Sequence, residues 1–180
     1  MTNKFSFVLT EALYLEANRL NYWVRVKNST FFKVWGVAVG VALIVSFGCI
    51  FAFANQPYFR KIAVVVTSSL AAWMVATIIL ALVSYMILPR QTRKLLSQQK
   101  LLQSHQNFEI TDDSLNMTNE YSNATFPYHF ALKWAENGKV FLVYHSDMTF
   151  NLISKDDAGI NAIDDLRNKL QRAGIEGLSL

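Results

Sequence analysis

Residues Val34 to Ala54 read VWGVAVGVALIVSFGCIFAFA, and residues Ile62 to Leu88 read IAVVVTSSLAAWMVATIILALVSYMIL. Neither run contains a charged side chain. The first, as a helix, is about 31 Å long, which matches the hydrocarbon thickness of a bilayer. The second exceeds that thickness and has room to tilt or project. Between them stands only Asn55-Gln56-Pro57-Tyr58-Phe59-Arg60-Lys61, so the second helix must return antiparallel to the first. Pro89 is read as the end of the second helix. Trp35, Tyr58 and Tyr85 fall near the expected interfaces, where amphipathic rings are favoured. The reading is a two-helix transmembrane hairpin.

Working outward, the flanks are basic. Arg19, Arg25, Lys27 and Lys33 precede the first run, and Arg90, Arg93, Lys94 and Lys100 follow the second. The connecting loop holds only Arg60 and Lys61. This bias predicts both termini in the cytoplasm. It also explains a formal charge of +4 and a pI near 9.2 without nucleic acid. From Lys100 to Leu180 the chain has seven Lys/Arg against eleven Asp/Glu, so the segment long enough to build a core is acidic. Nucleic acid is therefore not an expected partner. Of 180 residues, 52% are hydrophobic, above the usual soluble value. The single cysteine, Cys49, lies inside an apolar run and reads as a small buried side chain.

The N-terminal segment does not read as a signal peptide, because its first long apolar run begins too late. Phe5 to Leu9 alternates as a short strand. Thr10 and Glu11 then cap a helix with Leu13, Tyr14, Ala17 and Leu20 at helical spacing. A lone strand leaves its backbone groups unpaired. It is therefore expected to pair with, or pack on, the sheet of the C-terminal domain, making one composite domain.

From Gln106 the pattern is strand after strand. Phe108 and Ile110 alternate, Thr111 to Ser114 turns, and Leu115, Met117 and Thr118 continue. A turn at Glu120 to Asn123 precedes a strand from Thr125 to Pro127. Tyr128 to Leu132 reads as a helical turn. Lys133 to Ala135 and Val140 to Tyr144 flank Glu136-Asn137-Gly138-Lys139, a hairpin signal. Thr149 to Ile153 is the last strand. A helix from Ile160 to Arg172 carries Ile163, Leu166 and Leu170 on one stripe and stops at Gly174. The expected organisation is 1–33, N-terminal strand and helix; 34–88, hairpin (34–54 and 62–88); 89–105, linker; and 106–174, an α+β cytoplasmic domain with an antiparallel sheet.

With this layout on the page, the chain resembles the YcxB-like family of small bacterial membrane proteins. The segments that carry the likeness are FSFVLTEALYLEANRL (5–20), VFLVYHS (140–146), TFNLISKDD (149–157) and DDLRNKLQ (164–171), together with the hairpin. The resemblance implies a pleckstrin-homology-like C-terminal domain and a bacterial cytoplasmic (inner) membrane location. It supplies no catalytic residues.

The chemistry-bearing residues are sparse. His105, His129 and His145 have no local metal spacing. Asp112, Ser114, Asn116, Thr118 and Glu120 echo a calcium loop, but Met117 replaces the required glycine and Asn123 the bidentate glutamate. Asp156-Asp157 and Asp164-Asp165 read as helix-start charges and a solvated face. Three Asn-x-Thr/Ser sequons lie at Asn28, Asn116 and Asn123, on the side of the bilayer where no glycosylation occurs if the topology holds. No metal, cofactor or catalytic set is expected. Two binding features remain. Arg90, Arg93 and Lys94 are candidate lipid headgroup contacts. Gly36 and Gly40, with Ser68, Ala72 and Ala76, are candidate helix-packing positions, either within the hairpin or between copies as a homo-oligomer. The expected function is a non-enzymatic, membrane-anchored interaction module whose cytoplasmic domain binds a protein or anionic lipid. The alternative is an immunity or regulatory protein acting through its hairpin.

Overall fold

The computed structural model describes residues 3–52, 56–98 and 104–179. Ala54 and Lys100, which entered the span and charge readings, lie outside them. The chain divides into two compact units, one of residues 1–25 and 88–180, the other of residues 26–87.

The first unit begins with β1 (Asn3–Val8), which pairs antiparallel with β2 (His105–Ile110), Phe5 opposite Phe108. The expected composite domain is thus what the chain builds. β3 (Ser114–Thr118) and β4 (Asn123–Pro127) extend this into a four-stranded antiparallel sheet ordered β1-β2-β3-β4. A 3-10 turn at Tyr128–Phe130 leads to β5 (Lys133–Glu136), β6 (Val140–Tyr144) and β7 (Phe150–Ser154). Short α4 (Lys155–Ala158) and long α5 (Ile160–Arg172) follow, then β8 (Gly177–Ser179). The second sheet is ordered β7-β6-β5-β8.

Two expectations are corrected here. The strands form two sheets, and β8 lies parallel to β5, so the sheet structure is not wholly antiparallel. The domain also continues past Gly174. Ile175 N–H bonds the Leu170 carbonyl and Trp134 N–H bonds the Glu176 carbonyl, which steers the chain back to β5.

Helix α1 (Glu11–Asn28) starts where the sequence indicates, with Leu13 N–H donating to Thr10 Oγ1. Its buried stripe, Ala17, Leu20 and Val24, packs on Val140, Leu142 and Tyr144 of β6 and Ala135 of β5. The alternate residues of β6, Phe141 and Val143, join Phe7, Phe108, Ile110, Leu115 and the α5 stripe Ile163, Leu166 and Leu170 in the larger core. Because side chains alternate across a strand, β6 is covered on both faces, and all five of its residues are buried.

The second unit holds α2 (Thr30–Ala52) and most of α3 (Pro57–Gln98). Residues 33–52 and the stretch beginning at Lys61 are long and apolar enough to cross a membrane. Pro89 does not end α3; it lies inside it. Proline removes one helical hydrogen bond, but the turns beyond it are anchored from outside the helix. Thr92 is 2% exposed, and Leu96 sits in the larger core. Residues 89–98 are therefore helix rather than linker.

Gly40, Leu43, Ile50, Ala71, Ala81 and Tyr85 are partly buried, beside a main line of Trp35, Val39, Ala42, Ser46 and Cys49 on α2 and Ala63, Thr67, Leu70, Met74 and Thr77 on α3. The spacing of the main line alternates four and three, the period of a helix-helix seam. The Trp35 and Trp73 rings meet at 5.8 Å. Gly36, Ser68, Ala72 and Ala76 are exposed, and a Cβ at Gly36 or Gly40 would meet nothing within 4 Å. Of the candidate packing positions, Gly40 lies at the rim of this seam and Gly36, Ser68, Ala72 and Ala76 lie outside it.

Candidate functional site

The last three turns of α3 separate two faces. Thr92 and Leu96, one turn apart, are buried, while Arg90, Arg93, Lys94 and Ser97 are exposed. Helical geometry sets the second group at positions i, i+3, i+4 and i+7. With Pro89 they line one shallow depression. The sequence-predicted cations are thus brought together, but they are not equivalent. Arg93 donates from Nε and Nη2 to Glu11 Oε1 at 2.9 and 2.8 Å. That hydrogen bond, then the Glu11 charge, raises the guanidinium's already high pKa. Arg90 and Lys94 have no ion pair among the described residues and carry the patch's net charge. Glu11, read from sequence only as a first-turn acid, is the residue missed here; its partner is far away in the chain and left no local signal.

A second charged cluster lies in the same unit. Glu136, the last residue of β5, is 8% exposed. Arg167 of α5 grips its two carboxylate oxygens at 2.9 Å each, and Lys155 of α4 lies at 2.5 Å. Burial alone pushes this carboxyl up; the hydrogen bonds from Arg167 and Lys155, with their charges, outweigh it and hold it below the usual glutamate range. Arg167 also pairs with Asp164. Nearby, Lys169 lies 3.0 Å from Asp165 and 3.3 Å from Asp112, and Asn3 donates to Asp165 at 3.0 Å. The Asp164-Asp165 pair is therefore engaged in ion pairs rather than simply solvated. Asp157 N–H donates to Ser154 Oγ, so the Asp156-Asp157 pair does begin a helix. These contacts join β5, β1 and the β2–β3 turn to the helices, which is an architectural role.

The histidines stay apart in role. His145 packs edge-on against Phe126 and His129 tilts against Phe130. Among the described residues no group of three or more His, Cys, Asp or Glu converges as metal ligands. Asp112 to Glu120, the calcium-like run, is a turn followed by β3, with Leu115 buried on one side. Tyr128 and Tyr144 are both pushed up by burial, Tyr128 further by the charges of Asp165, Asp112 and Asp113, while Arg25 acts against the shift at Tyr144. Tyr144 donates to Asn21 of α1 and Tyr128 to the Thr111 carbonyl, so both phenols serve as tertiary anchors.

Fold and site together define a class: an α+β domain of two sheets, interrupted after its first strand and helix by a pair of long apolar helices. Residues 110–170, from the end of β2 through α5, match the family model described as YcxB-like protein. Over those residues the chain is similar to the YcxB-like family, as the resemblance indicated. No curated protein and no solved structure matches the chain.

Proposed function

We propose that this chain is a membrane-anchored, non-enzymatic interaction module. In this reading α2 and α3 cross the bacterial cytoplasmic (inner) membrane as a hairpin, and both termini face the cytoplasm. The observation that carries it is the joining of β1 and α1, before the hairpin, with β2 to β8, after it, in one unit. Such a unit supports placing both ends of the hairpin on one side of the bilayer, independently of the charge bias. Two features support insertion. Ile44 and Met86 are 74% and 73% exposed, as are many neighbours, a load of apolar surface unsuited to water. In the apolar part of α3, Thr67, Ser68, Ser69, Thr77 and Ser84 all bond carbonyls three or four residues back, as hydrocarbon demands. The pleckstrin-homology-like reading belongs here too, supported by the succession of strands closed by α5.

In this reading Arg90 and Lys94 hold the domain against anionic headgroups, and Arg93 fixes α3 to α1. At about 1 kcal/mol per cation, two cations favour the docked state by roughly 30-fold. The test uses the full chain in nanodiscs containing phosphatidylglycerol, with energy transfer from a label at position 120 to a headgroup acceptor. Arg90→Glu with Lys94→Glu should lower transfer; unchanged transfer refutes the lipid contact. Labelling of Glu120→Cys, on a Cys49→Ala background, by an impermeant reagent in intact cells would refute the topology. The second reading, action through the hairpin on an intramembrane partner, is favoured by the exposed Ser68, Ala72 and Ala76, which the seam leaves unused. Exchanging both spans for an unrelated hairpin should then abolish function; in the leading reading function survives.

A further inference from the structure

The cation face of α3 is fixed in direction. Thr92 and Leu96 are held in the protein interior, which keeps the helix from rotating and leaves Arg90, Arg93 and Lys94 turned outward. No acidic side chain lines the depression these three share with Pro89 and Ser97. Ser97 Oγ donates to the Lys94 carbonyl at 2.8 Å, so the cations are the donors left for a ligand. Arg93 alone has an acidic neighbour, Glu11, which reaches it from α1. Both of its bonds fall on the single oxygen Oε1, and the two side chains are 76% and 47% exposed. An ion pair so open to water is weak and readily exchanged. A phosphate offers a guanidinium shorter, charge-assisted and often paired hydrogen bonds. Arg90 and Lys94, without an ion pair among the described residues, supply two uncompensated charges. A phosphodiester brings one charge and two free oxygens. A phosphomonoester brings close to two charges and three oxygens, matching two unpaired cations and three cationic side chains. Depth favours a lipid as its source. Leu88 ends the apolar run, and Arg90 to Lys94 stand about 3–9 Å farther along the same helix. The headgroup layer of a bilayer is about that thick.

We propose that this face selects a phosphomonoester headgroup, that of a phosphatidic-acid-class lipid, and that Glu11 is its built-in competitor. Arg90 and Lys94 take the phosphate first; Arg93 then leaves Glu11 and supplies the third set of hydrogen bonds, which frees this turn of α3 from α1. The inference rests on the bilayer reading and sharpens its headgroup contact. The experiment places the full chain in phosphatidylcholine nanodiscs doped with either phosphatidic acid or phosphatidylglycerol, at about pH 8, where the monoester carries close to two charges. Phenylglyoxal modification of Arg90 and Arg93 is followed by peptide mapping. Phosphatidic acid should protect both arginines, with a midpoint, expressed as anionic charge per disc, about fivefold below that of phosphatidylglycerol. Glu11→Gln should lower the phosphatidic acid midpoint at Arg93 about threefold, a gain that misfolding would not mimic. Arg90→Gln with Lys94→Gln should remove the lipid preference at Arg93. Equal protection by the two lipids at matched charge overturns the proposal and leaves the general headgroup contact standing. Protection by inorganic phosphate in undoped discs also overturns it, as does an unmoved Arg93 midpoint in Glu11→Gln or a preference that survives the double substitution. Absence of protection by either lipid overturns this proposal and the headgroup contact together.

Discussion

Gly177→Ala should detach β8. Gly177 stands opposite Trp134 in the parallel pairing of β8 with β5. A Cβ at Gly177 would come within 2.0 Å of Trp134 Cζ2 and 2.2 Å of Cε2. The indole is in no position to yield: it is 5% exposed and stacked on Phe141 at 5.2 Å. The strand must therefore lift. It would give up the pairing of Ala135 with Leu178 and Glu136 with Ser179, together with the bond from Trp134 N–H to the Glu176 carbonyl. Two or so net hydrogen bonds at about 1 kcal/mol each, with about 1 kcal/mol for the partial burial of Leu178, come to about 3 kcal/mol. With a urea m-value of about 2 kcal/mol/M the midpoint should fall by about 1.5 M. Urea unfolding of the full chain in detergent gives the midpoint, and amide exchange of residues 133–136 reports whether β8 still covers β5. A midpoint moved by less than about 0.3 M, with exchange unchanged, would refute the reasoning.

Glu136→Gln should cost about 1–2 kcal/mol at neutral pH, since Lys155 and Arg167 retain partial solvent. The folded carboxyl lies below its unfolded value, so its stabilisation is fully present above the ordinary glutamate pKa near 4.3 and fades as pH falls through the lowered folded value; the variant's stability curve should be flatter in that acid window. Phe7→Ala removes a ring stacked 5.3 Å from Phe108 and should cost about 3 kcal/mol, read as lost exchange protection across residues 105–110. Pro89→Ala returns an amide hydrogen to the interior of α3 and should raise the melting temperature, by a gain of about 1 kcal/mol; a fall would argue against helix at this position.

What could be read from the sequence was whatever depended on near neighbours. The hairpin at Asn137-Gly138 is visible because Asn137 Oδ1 accepts from the amides of Lys139 and Val140, at 2.9 Å each. Asn119 does the same for Tyr121 and Ser122. The stripe of α5 and the cap of α1 are equally local. The docking of β1 followed from counting its unpaired backbone groups. The misreadings came from distance. Pro89 is a helix breaker until Thr92 and Leu96 are seen to be held by the core. Small residues in α3 were evident, but the face they occupy depends on where α2 runs. Glu11 and Arg93, or Asn3 and Asp165, are too far apart in the chain for any pattern to connect them. β8 is three residues without periodicity, and its place is set by the flat face of Trp134.

The interrupted order of the domain also bears on how it is made. When β1 and α1 leave the ribosome, their partners do not yet exist: Ala17, Leu20 and Val24 await β6, and β1 awaits β2. Nothing can cover those apolar stripes until about a hundred more residues have been synthesised. Completion of the sheet is therefore a checkpoint. A chain in which just one of α2 and α3 had crossed a bilayer would hold β1 and β2 on opposite sides, unable to meet. In the membrane-anchored reading proposed above, its exposed edges and bare helix face would mark the faulty product for proteolysis, and the discontinuous domain would proofread the insertion of the helices it encloses.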